Sequence, residues 1–347
     1  MTTDRLRLSR RGFACSALAL AAVALGPAAR AAADYRTGDL IGEPTFYVTK
    51  GDENLLDVAM ERNLGIPEIS ALNPGVDPWV PGAETLISLP TQFILPDAPR
   101  QGIVINYGDL RLYHYRKDGS IATYAIGVGR DGFELKYGKT KIVRKTEKPT
   151  WYPTESTLRD KPWVGKVVPP GPDNPLGEYA LYLGWPTYLV HGTNMPYGVG
   201  RRVSRGCIRM YPQGVEQLFA ETPVGTPVTA VNQTVKLGWN MGELYLEAQP
   251  DFAQIDELEE TQAISPRPVS DEDRRLILDR AGAEAYRIDW AVAEAELIKR
   301  RGIPVQITIA GATPPSEPQA ALPAGGSPSA PRAPGAVAQG GTASGLY

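Results

Sequence analysis

The segment HGTNMPYGVGRRVSRGCIRM, residues 191–210, brings together a histidine and a cysteine in a chain that contains only two of each. A thiol is a strong nucleophile only as the thiolate, and its ordinary pKa of about 8.5 leaves a small fraction ionised at neutral pH. The imidazole of His191 can take the proton of the Cys207 thiol, and as imidazolium it would lower the pKa of that thiol. The segment therefore predicts a cysteine nucleophile with a histidine base.

Glycine and arginine residues surround the cysteine. Gly206, directly before it, removes side-chain bulk where a substrate carbonyl would approach, and a flexible backbone can aim N–H groups at a developing oxyanion. Four arginines, at positions 201, 202, 205 and 209, predict an electropositive site that favours the thiolate and a carboxylate-bearing substrate. The alternative is an inert buried thiol, a common state of a free cysteine in a folded domain.

The N-terminus predicts export from the cytoplasm. Residues 1–33 combine a basic start, an apolar run from Ala14 to Leu25 and an Ala31-x-Ala33 pattern, as in a cleaved signal peptide. The apolar run is too short to span a membrane, and SRRGF (residues 9–13) matches the twin-arginine export pattern. An ordinary secretory signal is the alternative. Either signal removes the other cysteine and leaves Cys207 alone in an oxidising, periplasmic compartment.

Charge and residue spacing exclude several classes of function. Removal of residues 1–33 takes away five arginines and one aspartate, so the formal charge changes from −3 to −7, which argues against a nucleic-acid partner. His114 stands in the alternating run RLYHYR and is predicted to be a strand-face residue rather than a catalyst. One cysteine and two distant histidines make no zinc-ligand spacing. We therefore expect no metal and no cofactor.

Residues 45–91 predict a small α+β domain. A short strand (residues 46–49) leads to a first helix, Pro67 opens a second helix, and residues 85–89 return as a strand. This order resembles a LysM module, which implies binding to the glycan chains of peptidoglycan. The alternative is a small domain that only braces its neighbour.

The rest of the chain divides into three parts. Residues 101–232 are rich in alternating β runs and glycine turns, which predicts a mainly β domain, a sandwich or barrel with one or two short helices. Residues 233–310 form a C-terminal extension with a helix predicted at about 270–300, which either packs back on the core or stays separate. The tail, residues 311–347, is Pro/Ala/Gly/Ser-rich and is predicted to be disordered.

The segment from His191 to Met210 is similar to the signature of the L,D-transpeptidases, the family with a YkuD-type catalytic domain. That signature is His-Gly-Thr, a loop, and then Ser-x-Gly-Cys-(Ile/Val)-Arg. The similarity extends over about residues 102–232, through GIVINYGDLRLYHY, KPTWYPT and PPGPDNPLGEYALYLG. With a LysM-like module in front, the chain resembles the periplasmic ErfK/YbiS-like group. Many members have histidine where this chain has Arg205. This difference puts in doubt only the role of that side chain as a second base.

The resemblance implies cysteine acyl transfer on a peptidoglycan tetrapeptide stem. Cys207 would attack the carbonyl before the terminal D-alanine and form a thioester, which an amine of another stem or a lysine of an outer-membrane protein would resolve. His191 would move the protons. The supporting residues implied are Gly192 or Thr193, whose carbonyl would orient the ring, Gly206 with Cys207 for the oxyanion, Ser204 for the loop, and Arg209 for the substrate carboxylate or for loop structure.

Two other functions remain open from the sequence alone. Water could resolve the thioester, which would make the protein an L,D-carboxypeptidase. Alternatively, the protein could be a non-catalytic peptidoglycan-binding protein in which only the LysM-like unit acts.

Overall fold

The computed structural model describes residues 38–314. The predicted signal peptide and residues 315–347 of the predicted tail lie outside the described residues. Within residues 38–314, no helix has the length and apolar character needed to cross a lipid bilayer.

Seventeen strands and seven α-helices make up this described part of the chain. The strands are β1 (Leu40–Gly42), β2 (Thr45–Val48), β3 (Leu86–Leu89), β4 (Gln92–Ile94), β5 (Gly102–Asn106), β6 (Arg111–Tyr115), β7 (Ile121–Ala125), β8 (Val128–Gly129), β9 (Gly138–Glu147), β10 (Tyr179–Leu183), β11 (Leu189–His191), β12 (Arg202–Ser204), β13 (Ile208–Arg209), β14 (Pro227–Val231), β15 (Val235–Asn240), β16 (Glu243–Ala248) and β17 (Val305–Gln306). The helices are α1 (Leu55–Arg62), α2 (Ile66–Leu72), α3 (Glu155–Asp160), α4 (Pro212–Glu221), α5 (Phe252–Thr261), α6 (Asp271–Ala281) and α7 (Trp290–Lys299), with 3₁₀ helices at Pro196–Gly198 and Gly282–Arg287.

An eight-stranded sheet, in the order β13-β11-β10-β9-β14-β5-β6-β7, forms the centre of the molecule. Strands β5, β6 and β7 pair antiparallel in sequence order, the meander expected from their alternation. The sheet curls so far that its two edge strands, β7 and β13, come together. Gly127, just after β7, and Arg209 in β13 exchange backbone hydrogen bonds of 2.9 and 2.8 Å. The mainly β prediction is confirmed.

The interior of this curled sheet is a continuous apolar core. Side chains from opposite sides of the sheet, such as Ile105, Leu112 and Val190, are fully buried together. Helix α4 closes one side by inserting Val215 and Leu218 into the same core. Dense packing of the core-facing side chains of β11 and β13 holds these strands in place. The side chains that point outward from the two strands are thereby fixed in position.

The small α+β domain of residues 45–91, called the N-terminal unit below, packs directly on the outer face of the large sheet. Helix α1 begins at an Asn54 capping box and ends at the left-handed residue Asn63. The buried side chains of this unit form one apolar cluster with Val104 and Tyr113, which lie on adjacent strands of the large sheet. Because the two units share a core, the N-terminal unit is not a separately tethered module.

A buried ion pair adds to this junction. Glu68 of α2 and Arg111 of β6 are joined at 3.0 Å, and both side chains are almost completely buried. Burial raises the pKa of the Glu68 carboxyl, although the nearby guanidinium opposes this effect.

The C-terminal extension packs back on the core instead of standing apart. Strands β15, β16 and β17 form an antiparallel sheet, and helices α6 and α7 cover one of its faces. The single helix expected at about 270–300 is two helices, because Gly282 adopts a φ of +54° and ends α6 before the 3₁₀ turn. Glycine tolerates this conformation, whereas it is strained for other residues.

A buried charge cluster joins this extension to the central sheet. The Lys236 Nζ atom lies 2.7 Å from Asp109 Oδ2 and 2.7 Å from Glu247 Oε1, and all three side chains are nearly inaccessible to solvent. The same ammonium group donates to the hydroxyl of Tyr113 at 2.9 Å and to the carbonyl of Ile94 at 2.8 Å. The cluster therefore connects residues that are more than a hundred positions apart in the sequence.

Candidate active site

Two short parallel strands bring His191 and Cys207 to the same face. Strands β11 and β13 pair Val190 with Ile208, and both of these side chains are buried in the core of the sheet. Side chains alternate along a strand, so Leu189 and His191 on one strand, and Cys207 and Arg209 beside the other, point away from that core. Strand pairing therefore places the histidine and the cysteine singled out in the sequence on the same face of the sheet, two positions apart along the strands.

The ring of His191 is buried and held by its own turn. Its Nδ1 atom lies 2.5 Å from the carbonyl oxygen of Gly192. A carbonyl can only accept, so Nδ1 carries the proton in the neutral ring and Nε2 is left as the base. Of the two carbonyls considered from the sequence, that of Gly192 meets the ring. The Thr193 hydroxyl instead accepts the Met195 N–H at 2.9 Å and caps the turn.

Burial keeps the His191 imidazole neutral. Loss of solvent, with a smaller contribution from the charge of Arg209, lowers the pKa of His191 to about 4, while hydrogen bonding to the backbone of Gly192 and Leu176 opposes the shift. The ordinary histidine pKa is about 6.5, so this ring carries no charge at neutral pH. It can accept a proton, but it does not act as a standing imidazolium.

The thiol of Cys207 is half-buried and also neutral. Its Sγ atom lies 3.5 Å from the carbonyl oxygen of Thr187. Burial raises the pKa of the Cys207 thiol, and the backbone N–H of Leu189 and the Arg209 guanidinium only partly oppose this. Burial therefore outweighs the thiolate-stabilising effect of nearby positive charge that the sequence predicts.

The reason is that most of the arginines in the segment have partners elsewhere. Arg201 pairs with Glu259 at 2.9 Å, and Arg205 pairs with Asp160. Arg202 stacks on a phenylalanine ring and donates to the Gly129 carbonyl at 3.3 Å. Only the fourth, Arg209, affects the pKa values of both His191 and the thiol.

Arg209 is a half-buried cation, and no ion pair involves it in the part of the chain that the structure describes. Its Nε atom has no hydrogen-bond partner within residues 38–314. Its guanidinium also borders Gly198, where an added Cβ would lie 3.0 Å from the Nη1 atom. A cationic donor whose buried Nε atom has no partner fits an anionic ligand.

The loop before Cys207 is held by one hydroxyl. Ser204 Oγ donates to the carbonyl of Cys207 at 2.5 Å and accepts the N–H of Gly206 at 3.1 Å. Gly206 has a φ of +111°, and an added Cβ would lie 3.5 Å from the ring of Tyr188. The N–H of Gly206 is already engaged, so the expectation that it shares an oxyanion with Cys207 does not fit this geometry.

Sequence reasoning missed the turn that faces the thiol. Thr187 has a φ of +70°, which is rare for a β-branched residue, and its carbonyl is the one next to the sulfur. Tyr188 follows, and its hydroxyl donates to the Glu134 carbonyl at 2.6 Å. The run Gly-Trp-Pro-Thr (residues 184–187) signals a turn in the sequence, but nothing local indicates that the turn borders the thiol. His114 lies in β6, as expected for a strand residue.

Comparison with known proteins identifies the family. The chain is 37% identical over 279 residues to the protein named "Probable L,D-transpeptidase ErfK/SrfK" of Escherichia coli (strain K12), covering 78% of this chain and 87% of that protein. The chain belongs to the L,D-transpeptidase family. It is also 35% identical over 283 residues to the "Probable L,D-transpeptidase YcfS" of the same strain, covering 77% of this chain and 85% of that protein.

The match to the L,D-transpeptidase catalytic domain, in the YkuD family, spans residues 100–229 and includes both His191 and Cys207. Among solved structures, L,D-transpeptidase 3 from Mycobacterium tuberculosis is 15% identical and covers 55% of this chain and 92% of that chain, with a TM-score of 0.31.

Proposed function

We propose that this L,D-transpeptidase acts on peptidoglycan tetrapeptide stems with Cys207 as nucleophile and His191 as proton carrier. The observation that carries the proposal is the shared face of β11 and β13, which carries both a neutral ring fixed through Nδ1 and a neutral thiol. A nucleophile, a base and a group that orients the base are the parts that acyl transfer requires.

The first step begins from the neutral Cys207 thiol and the neutral His191 imidazole. As Sγ attacks the carbonyl carbon before the terminal D-alanine, the thiol proton moves to Nε2 of His191. The C–S bond forms, the carbonyl π electrons move to oxygen, and the tetrahedral intermediate then expels the D-alanine nitrogen. The imidazolium returns its proton to that nitrogen, so free D-alanine leaves and a thioester remains.

The low pKa of His191 favours the second proton transfer, from the imidazolium to the leaving D-alanine nitrogen. An imidazolium with a pKa of about 4 is a stronger acid than ordinary histidine, and so it protonates the leaving nitrogen readily. Because burial raises the pKa of the Cys207 thiol, the proposed step transfers the thiol proton during the attack. This proposal therefore needs no resting thiolate–imidazolium pair.

The surrounding groups support the charges that develop. Because Ser204 holds the Gly206 N–H, we assign the oxyanion to the Cys207 N–H. Arg209 is assigned to the carboxylate of the donor stem, since its Nε atom is buried and has no hydrogen-bond partner among residues 38–314. A purely structural role for Arg209, packed on Gly198, is the alternative that its variants test.

An amine completes the reaction. Its nitrogen attacks the thioester carbon, His191 accepts one of its protons, and the Cys207 sulfur leaves and recovers that proton. The product is a new amide, either a cross-link between two stems or a bond between a stem and a protein lysine. The names of the relatives support transfer to an amine, while hydrolysis by water remains the second outcome to be tested.

The proposed location is outside the cytoplasm, in the periplasm, after export by the twin-arginine route. Its support is the basic, twin-arginine start and the apolar run in residues 1–33. Replacement of Arg10 and Arg11 by lysine should leave uncleaved precursor in the cytoplasm, as detected by fractionation and immunoblotting. Normal processing of that variant would indicate an ordinary secretory signal.

One experiment tests the activity and its acceptor. The purified protein that begins at residue 34 is incubated with a disaccharide-tetrapeptide, and the products are analysed by mass spectrometry. A dimer that has lost one D-alanine indicates transpeptidation, and a tripeptide indicates carboxypeptidase activity. The Cys207→Ala variant should give neither product. Unchanged substrate with the wild-type protein would overturn the proposal.

A covalent probe tests the nucleophile separately. A carbapenem should add its full mass to the intact protein, because opening of the β-lactam ring by the thiol releases no group. The Cys207→Ala variant should show no added mass. An adduct of equal yield in both proteins would place the reaction on another residue.

A further inference from the structure

Residues 168–177 form an irregular segment between α3 and β10, which we call the 168–177 loop. Near its end lies Asn174, whose side chain is completely buried although it is polar. Buried polar groups in proteins are almost always hydrogen-bonded, so the partners of this amide show what it holds in place.

The Asn174 amide bonds to backbone groups on both sides of the loop. Its Nδ2 atom donates to the carbonyl oxygens of Pro149, Pro169 and Val168, at 2.7, 3.1 and 3.2 Å. Its Oδ1 atom accepts the N–H of Leu176 at 2.9 Å. One side chain therefore fixes the start of the loop, its end and the preceding chain at Pro149 relative to one another.

The end of the loop packs on the turn that follows His191, where the active-site loop from His191 to Cys207 begins. Gly177 has a φ of +64°, and an added Cβ there would lie 3.1 Å from the carbonyl carbon of Gly192. An added Cβ at Gly192 would in turn lie 3.4 Å from the carbonyl oxygen of Leu176. The two backbones are in direct contact, so a displaced 168–177 loop would displace the Gly192 carbonyl.

This contact reaches the ring of the proposed base. The Gly192 carbonyl oxygen lies 2.5 Å from His191 Nδ1, and the Leu176 backbone also interacts with the ring and opposes the fall in its pKa. A backbone carbonyl has this effect because it accepts a hydrogen bond from the protonated ring. While the Gly192 carbonyl faces Nδ1, that nitrogen keeps its proton and Nε2 is free to accept another.

We propose that Asn174 is a positioning residue that selects the Nδ1–H tautomer of His191 by fixing the 168–177 loop. Within residues 38–314 its side chain bonds to backbone groups alone, so it acts through Leu176 and Gly192 and not by touching the reacting atoms. The proposal rests on the proposed function, in which Nε2 takes the thiol proton. Without the amide, the end of the loop would lose its anchor, and the ring would divide between the Nδ1–H and Nε2–H forms. In the second form Nε2 cannot accept the thiol proton.

Nitrogen-15 NMR of the imidazole nitrogens tests this assignment, in the protein that begins at residue 34 and is labelled at histidine. The chain contains only two histidines, so the His191 signals are those missing from the spectrum of His191→Gln. At neutral pH we expect the Nδ1–H form alone in the wild type and a mixture of both neutral forms in Asn174→Ala. Acylation of Cys207 by a carbapenem should slow by about 10- to 100-fold in that variant, as is typical when a catalytic group is misplaced.

Asn73→Ala is the matched control, because Asn73 also braces a backbone segment with its amide. It donates to the carbonyls of Ile69 and Ser88 at 2.7 and 2.8 Å and accepts the Ser88 N–H at 2.7 Å, but it lies in the N-terminal unit. Thermal melting should show a loss of stability in both variants. Only Asn174→Ala should change the tautomer and the acylation rate, which separates positioning of the ring from bracing of the backbone.

Gly177→Ala provides a second test that holds even if Asn174→Ala does not fold. It leaves the Asn174 amide in place, but its added Cβ would lie 2.9 Å from the backbone nitrogen of Thr193 and would push the loop away from the turn. This variant should also show both tautomers. The Nδ1–H form alone in Gly177→Ala would overturn the proposal, because the loop would then have no control over the ring.

The remaining outcomes are separable. A folded Asn174→Ala protein with the Nδ1–H form alone would overturn the proposal even if its acylation were slow, because bracing of the backbone would then explain the loss. A mixture in the wild type, or an equal tautomer change in Asn73→Ala, would also overturn it. The spectra need no substrate and should be the same in the Cys207→Ala variant, so failure of the proposed chemistry would leave them intact.

Discussion

His191 lies directly opposite Arg209 in the parallel pair of strands β11 and β13. The positive charge of Arg209 and the burial of the ring both disfavour the imidazolium, and together they lower the pKa of His191 to about 4. The same guanidinium opposes the burial effect on the thiol of Cys207. Arg209 therefore acts to lower the pKa of both groups in the proposed reacting pair. This effect makes the thiol a stronger acid and the imidazole a weaker base.

The acid limb of the pH–rate profile should reflect this burial. A general base acts only when unprotonated, so kcat/KM should fall as pH decreases through about 4 and not through the ordinary histidine value of about 6.5. The measurement is the rate of Cys207 acylation by a carbapenem between pH 3.5 and 8. An acid limb centred near pH 6.5 would contradict the assignment of a buried, neutral ring.

Removal of the Arg209 charge should move that limb upward. In Arg209→Gln the imidazolium loses a repulsive neighbour, so the His191 pKa should rise and the acid limb should shift to higher pH. The matched control is Arg205→Gln, since that arginine pairs with Asp160. A shift of the same size in both variants would exclude a specific effect of Arg209.

Ser204→Ala should lower kcat/KM without unfolding the protein. The variant loses the hydrogen bond to the Cys207 carbonyl and the one from the Gly206 N–H, each worth about 1 kcal/mol, so a fall of about 10- to 30-fold is expected. Ser120→Ala, in an exposed turn, is the control. Wild-type kinetics for Ser204→Ala would show that the loop is held by other contacts.

Gly200→Ala should weaken the contact between the active-site loop and the N-terminal unit. The added methyl would meet Gly65 Cα at 2.6 Å and would also adopt a φ of +79°, so a loss of about 2–4 kcal/mol in the free energy of unfolding is expected. Gly225→Ala shares the positive φ but meets no atom within 4 Å, and it should lose only about 1–2 kcal/mol. Urea denaturation measures both, and equal losses would mean that the contact adds nothing.

Lys236→Met should be among the more destabilising single changes at the C-terminal junction. It leaves the carboxylates of Asp109 and Glu247 buried without their shared cation, which typically costs about 3–5 kcal/mol. Arg267→Met removes an exposed partner of Asp251 and should cost at most about 1 kcal/mol. Differential scanning calorimetry of the two variants checks the contrast. A similar small loss in both would show that the buried cluster relaxes when its lysine is removed.

The mainly β fold and the family were predictable because their signals are local. Alternation in residues 102–125 fixes the antiparallel strands, and the segment from His191 to Met210 carries the family signature in consecutive residues. The strands β15 and β16 were missed even though VKLGWN and ELYLEA alternate around a Met-Gly turn. The helical periodicity of residues 270–300 is the stronger local signal, and it predicts a single helix where Gly282 separates two.

The sequence by itself determined which groups are available for chemistry: one thiol after the predicted signal, one histidine in the same segment, and a glycine where the backbone adopts a left-handed angle. Only the tertiary structure decided their protonation and their partners. The pKa of His191 depends on burial, and the partners of Arg201 and Arg205 lie about fifty residues away, at Glu259 and Asp160. Solvent exclusion and pairing between distant residues are properties of the packed chain, so no local pattern of residues specifies them.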